Sequence, residues 1–179
     1  MEEKTTGSRC GFAGRLLTVD VVDVQLPDGR TSVREIVRHP GAVVILPQRP
    51  DGRFVFVRQY RKAVEAALVE AVAGTLDPGE NPARCARREL LEETGHRAEN
   101  LLPLGELVPA PGYTSERLHA FHASVDADPR PQATEEDENI ECVLATEEDV
   151  ERWIDSGDLV DAKTLAIWML WLRKRRTLR

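Results

Sequence analysis

Cysteine is scarce in this chain, and the few present form no pattern. Cys10, Cys85 and Cys142 stand far apart with no CxxC among them. An odd, scattered set excludes a disulfide framework and a cysteine-built zinc site, and it fits a reducing cytoplasm. Long apolar runs are missing too: none approaches the roughly 20 residues of a membrane span. The opening MEEKTTGSRCG has no basic segment leading into an apolar one, so no signal peptide is expected. Positive charge is in deficit, with 24 Lys and Arg against 31 Asp and Glu and a net charge of −7. That weighs against nucleic acid as a partner, because such affinity comes largely from cations on phosphates. The cations that do cluster, Arg173, Lys174, Arg175, Arg176 and Arg179, read as the solvated end of a helix favoured by its dipole. No GxGxxG follows a strand-like run, and His39, His96, His119 and His122 form no HExxH.

At 179 residues, 41% hydrophobic and 31% charged, the chain suits a single globular domain with a sizeable core. Residues 1–15 read as a flexible N-terminal tail and 16–179 as the domain. Extended runs between Leu16 and Arg38 flank the turn signal Pro27-Asp28-Gly29-Arg30, and Gly41–Leu46 and Phe54–Tyr60 flank Pro50-Asp51-Gly52. Ala66–Ala73 reads as a further extended segment. A helix is expected from Pro82, which suits a first turn, to Thr94, with Gly95 as its C-cap. Strand-like runs cover 100–109, 116–125 and 140–145, a polar loop covers 126–137, and helices are expected near 147–155 and 161–175. Hairpins early and helices interspersed later indicate an α/β or α+β sandwich.

The helix carries the chemistry. Glu89, Glu92 and Glu93 stand at i, i+3 and i+4, one above another on one helix face. Three like charges so close repel, and a divalent cation removes that cost. Hard cations such as Mg²⁺ take oxygen ligands, so glutamates completed by substrate phosphate oxygens make a suitable shell. Arg88 can pair with Glu92 or Glu80 and hold the cluster in place. Ala83, Ala86, Leu90 and Leu91 can pack against a sheet. On charges alone, a surface helix with ordinary ion pairs is an equal reading.

The spacing is more specific than the charges. Gly74, five residues, Glu80, seven residues, then Arg88-Glu89-Leu90-Leu91-Glu92-Glu93-Thr94-Gly95 resembles the Nudix box, GX5EX7REUXEEXGU with U aliphatic. One position departs: His96 stands where an aliphatic residue is expected, which implies a local effect on packing and none on catalysis. Val57-Arg58-Gln59-Tyr60-Arg61, Glu70-Ala71-Val72-Ala73-Gly74, Pro111-Gly112-Tyr113-Thr114-Ser115-Glu116 and Asp161-Ala162-Lys163-Thr164-Leu165 are similar to the ADP-ribose pyrophosphatase branch of that family.

The resemblance implies a Nudix α/β/α sandwich with a mixed sheet. It implies Glu89, Glu92, Glu93 and the Ala73 carbonyl as metal ligands, with Mg²⁺ as the cofactor and Mn²⁺ as the alternative. Gly74, Glu80 and Gly95 take structural or orienting roles, and Arg88 and Glu92 join the catalytic set. Arg34, Arg58, Arg61, Glu70, Pro111 and Glu116 are implied as substrate contacts. Glu136 first and Glu138 second are implied as the general base on the attacking water, brought in by a flexible loop. The expected reaction converts ADP-ribose to AMP and ribose 5-phosphate. The alternatives are another nucleotide sugar, GDP-mannose or ADP-glucose, and a non-catalytic ligand sensor on the same domain. Residues 16–40 would form the arm exchanged in a homodimer.

Overall fold

The computed structural model describes residues 1–15, 17–133 and 139–177. The chain divides into two compact units, one of residues 1–41 with 108–117 and one of residues 42–107 with 118–179.

The first unit holds an antiparallel sheet of β1 (Lys4–Ala13), β2 (Thr18–Gln25) and β3 (Thr31–Arg38) in that order. Residues 4–13, expected within a flexible tail, therefore form a strand, in register with β2 from Lys4 opposite Gln25 to Ala13 opposite Thr18. Side chains along β1 are exposed almost throughout, so no period-two pattern marks the strand in the sequence. Its order comes from the backbone ladder with β2. The 108–117 segment joins this unit through Val37, whose N–H donates to Tyr113 O at 2.8 Å and whose carbonyl accepts from Ser115 N at 3.0 Å.

The second unit is a mixed sheet between helices. Its strands are β4 (Ala42–Gln48), β5 (Phe54–Arg61), β6 (Ala66–Glu70), β7 (Val72–Thr75), β8 (Ala98–Leu107), β9 (Leu118–Val125) and β10 (Ile140–Ala145). The main path runs β10-β5-β4-β9-β8; β6 pairs with β5 and β7 with β4. β4 and β9 are parallel, and the remaining pairs are antiparallel. The helices are α1 (Pro82–Thr94), α2 (Glu147–Ser156) and α3 (Ala162–Arg175).

β4 shows why this is a sandwich. Its run Ala42–Leu46 is apolar without polar alternation, as befits a strand buried on both faces. Ala42, Val44 and Leu46 pack with Phe54, Phe56, Val150, Ile167 and Trp168 on the α2–α3 side. Val43 and Ile45 pack with Val57, Val72, Cys85, Ala86 and Leu90 on the α1 side. Trp168 meets the Phe54 ring edge-on at 5.0 Å, and Trp153 meets Phe56 at 5.9 Å, so these tryptophans are core residues. No helix among the described residues is long and apolar enough to cross a membrane.

Two local features position the site. The extended segment expected over Ala66–Ala73 breaks at Ala71 into β6 and β7. β4 and β5 meet only at Gln48 opposite Phe54, so they splay, and β6 and β7 fill the fork by pairing with one each. α1 begins with Asn81, whose side chain accepts from Ala83 N at 2.9 Å, and ends at Gly95 with φ 73°.

Candidate active site

α1 is amphipathic in the way its sequence implies. Cys85, Ala86 and Leu90 are fully buried against the sheet, and burial pushes the Cys85 thiol up to about 12, which leaves it inert. Arg88 ties the carboxylates together. Its Nε and Nη2 donate to Glu80 at 3.2 and 2.9 Å, and its Nη1 donates to Glu89 at 2.7 Å and Glu92 at 3.1 Å. The guanidinium hydrogen bond holds the Glu80 carboxyl down to about 2. The expected pairing of Arg88 with Glu80 and Glu92 is thus present, and Glu89 joins it.

β7 meets this face at Gly74. A Cβ there would lie 1.8 Å from the Glu89 Cδ. Only a glycine lets the carboxylate of Glu89 rest against the strand backbone, next to Ala73. Glu93 lies one turn on and is 7% exposed. Among the described residues, no group of three or more His, Cys, Asp or Glu side chains is gathered around a common point as a formed metal site. Glu80, Glu89 and Glu92 share the Arg88 guanidinium.

Gly95 has a second task besides capping. A Cβ there would lie 1.9 Å from the Arg130 carbonyl oxygen. Arg130 N donates to Gly95 O and Ala133 N to Glu92 O, both at 2.9 Å, and the Gln132 side-chain amide donates to Glu93 O. The chain is thereby pinned to the end of α1 immediately before residues 134–138. Glu136 and Glu138 lie outside the described residues.

His96, the departure from the box pattern, is 3% exposed. Its Nδ1 is 3.0 Å from Asp126 O and 3.1 Å from Asp126 Oδ1. A polar residue is tolerated where an aliphatic one is expected because Asp126 gives it a partner.

A second charged cluster lies where β6 breaks. Glu70 is 1% exposed. Arg61 Nε and Nη2 grip it at 2.7 and 2.8 Å, and Lys163 bonds its Oε2. Burial alone would push the Glu70 carboxyl up, but the Arg61 hydrogen bonds and the Lys163 charge outweigh it and hold the group below its ordinary value. Glu93 lies within electrostatic reach of Arg61, which links this cluster to the acidic helix. Lys163 and Thr164 were not among the residues singled out for a site from the sequence. Only the short Asp161–Leu165 likeness pointed there, since no local spacing links α3 to β6.

The other expected substrate contacts are placed as follows. Arg58 pairs with Glu141 across β5 and β10 at 3.0 Å on an exposed surface. Arg34, on β3 of the first unit, is held by Glu3 and by Ser32 Oγ at 2.9 Å. Pro111 stands in the turn where Tyr113 N donates to Ala110 O at 3.2 Å, and Glu116 lies 3.9 Å from His39.

Comparison with known proteins decides the family. Residues 37–168 match the NUDIX domain model. This chain belongs to the Nudix family. The Nudix chain is 39% identical over 176 residues to the ADP-ribose pyrophosphatase of Bacillus subtilis (strain 168), covering 97% of this chain and 95% of that one. It is 38% identical to the methanol dehydrogenase activator of Bacillus methanolicus, with the same shares covered. The GDP-mannose pyrophosphatase of Yersinia enterocolitica serotype O:8 / biotype 1B (strain NCTC 13174 / 8081) is 33% identical over 84% of this chain and 82% of its own. Among solved structures, an ADP compounds hydrolase superposes with a TM-score of 0.86 at 27% identity, covering 98% of this chain and 96% of that one. The Nudix hydrolase fold expected from the box is the fold observed.

Proposed function

We propose that this Nudix hydrolase cleaves the diphosphate of ADP-ribose to give AMP and ribose 5-phosphate. The observation that carries the reading is the Gly74–Glu89 cradle facing Arg88, Glu92 and Glu93. Its carboxylates are hard oxygen donors held by one guanidinium, and Glu93 acts electrostatically on Arg61. The pyrophosphatase relatives at 39% and 33% identity support the substrate class.

Glu89, Glu92, Glu93 and the Ala73 carbonyl are the residues that would hold a divalent cation, Mg²⁺ in our reading and Mn²⁺ as the alternative. All are hard oxygen donors, and Gly74 leaves room for the Glu89 carboxylate beside Ala73. Such a cation supplies positive charge that polarises phosphoryl oxygens and acidifies an attacking water. Arg88 keeps the glutamate face in register through its bonds to Glu80, Glu89 and Glu92. Arg61 offers guanidinium donors to the diphosphate, in the bound substrate as in the transition state. Glu136, or failing it Glu138, takes the proton of the water. Arg34, Arg58, Pro111 and Glu116 complete the proposed substrate contacts. The proposal includes a cytoplasmic homodimer that exchanges residues 16–40.

A panel of ADP-ribose, GDP-mannose and ADP-glucose with Mg²⁺ tests the reading. The largest kcat/KM is expected for ADP-ribose. Preference for GDP-mannose would move the assignment to the second class of relative, and binding without turnover would favour a ligand sensor.

A further inference from the structure

The Glu70 cluster has more structure than charge balance requires. Glu70 is almost fully buried, and an ionised carboxylate there must be paired. Arg61 already supplies one positive charge and a two-pronged grip. Lys163 adds a second cation on Oε2, and its Nζ also bonds Asp161 Oδ2 at 3.0 Å. That same Asp161 oxygen caps α3, accepting from Thr164 N at 3.0 Å and Thr164 Oγ1 at 2.5 Å. Thr164 Oγ1 in turn accepts from Ala71 N at 2.7 Å, at the break between β6 and β7. Lys163 is therefore fixed at the start of a helix, and through Glu70 it fixes Arg61.

Arg61 is the exposed end of this chain of bonds, with 43% of its side chain exposed. An arginine has five N–H donors in a rigid plane. Glu70 takes one from Nε and one from Nη2. Among the described residues, Nη1 makes no hydrogen bond. Once Glu70 is immobile, the plane of the guanidinium and the direction of its uncommitted donors are set.

We propose that Lys163 is a positioning residue of the diphosphate site: by anchoring Glu70 to Asp161 and the α3 cap, it aims the uncommitted donors of Arg61 at a substrate phosphate. The inference rests on Arg61 being a diphosphate contact, as in the function proposed above. Without Lys163, Glu70 keeps Arg61 as its partner but loses its second anchor, so the pair can rotate away from the phosphate. A well-aimed charged hydrogen bond is lost from both the bound state and the transition state, which raises KM more than it lowers kcat.

Steady-state hydrolysis of ADP-ribose by wild type, Lys163→Met, Lys163→Arg, Arg61→Gln and the Lys163→Met/Arg61→Gln double variant tests this. Lys163→Met should raise KM about tenfold with kcat within about threefold of wild type. Lys163→Arg should recover most of the loss, because it restores a cation on Glu70. In the Arg61→Gln background, Lys163→Met should add almost nothing, a coupling that a general packing defect would not show. A fall in kcat at unchanged KM, or a full additional loss in the double variant, overturns the positioning role. Calorimetric titration with ADP-ribose separates this inference from the hydrolase reading. If wild type binds without cleaving and Lys163→Met binds about tenfold more weakly, only the hydrolase reading falls. If wild type cleaves ADP-ribose and Lys163→Met matches its affinity and KM, only the positioning role falls.

Discussion

Gly74 and Glu89 occupy the same space: a Cβ on the glycine would stand 1.8 Å from the glutamate Cδ. The box pattern therefore couples these two positions sterically, and the leading glycine is there for close approach. Gly74 does not have a positive φ, so the strand backbone itself would accept alanine. Gly74→Ala should displace the Glu89 carboxylate, reduce turnover at least tenfold and cost about 1–3 kcal/mol through overpacking. Turnover and urea denaturation of the same variant check both parts.

Gly95 is constrained twice, by φ 73° and by the Arg130 carbonyl 1.9 Å from where a Cβ would be. Gly95→Ala should cost about 2–4 kcal/mol, combining left-handed strain with displacement of the Arg130 segment. Because the pinned segment leads directly into residues 134–138, turnover should fall as well. A variant with wild-type denaturation midpoint and turnover would show that this pinning has no consequence.

The acidic helix was legible because its information is local. Glu89, Glu92, Glu93, Arg88, Pro82 in the first turn and the Gly95 cap are set by helical periodicity and by signals within a few residues of one another. Strands β4 and β5 were legible through apolar runs bounded by Pro-Asp-Gly turns. β1 was not, because an exposed strand carries no burial pattern and is ordered by its partner. The split of β6 from β7 was also hidden, since it follows the fork between β4 and β5, with Thr164 of α3 accepting from Ala71 N at the break. Lys163 and Gln132 belong to the same class: their partners, Glu70 and Glu93, lie far away in the chain.

His122 makes stability sensitive to acid. It lies flat on Trp171, with ring centroids 3.9 Å apart, and its Nε2 is 3.2 Å from Gln48 Oε1. Burial lowers its pKa from 6.5 to about 4. The unfolded chain therefore binds a proton more readily in that interval, and stability falls as pH drops from about 6.5 towards 4. The loss amounts to roughly 2–3 kcal/mol, at about 1.4 kcal/mol per pH unit. Glu70 and Glu80, both held below their ordinary 4.5, add to the loss from about pH 5 downward. Denaturation midpoints measured from pH 7 to about 5 should therefore show the His122 slope in wild type and lose most of it in His122→Gln. An unchanged slope in the variant would assign it elsewhere.

Replacing Glu136 and Glu138 separately by glutamine identifies the proton acceptor. Glu136→Gln should reduce kcat by two orders of magnitude or more, within the usual range for loss of a general base, while Glu138→Gln stays within about tenfold. Reversed magnitudes would reassign the role to Glu138, and equal mild losses would show that neither is the sole base.

The central claim is that the carboxylate face of α1 performs metal-assisted diphosphate hydrolysis. The most direct measurement is product analysis of ADP-ribose incubated with wild type and Glu93→Gln, each with Mg²⁺ and with a chelator. Wild type with Mg²⁺ should release AMP and ribose 5-phosphate. The chelator should abolish release, and Glu93→Gln, still folded by circular dichroism, should lower it at least a hundredfold, as expected when a charged ligand to a catalytic cation is lost. AMP release that survives the chelator or the Glu93→Gln substitution at near wild-type rate would contradict the account.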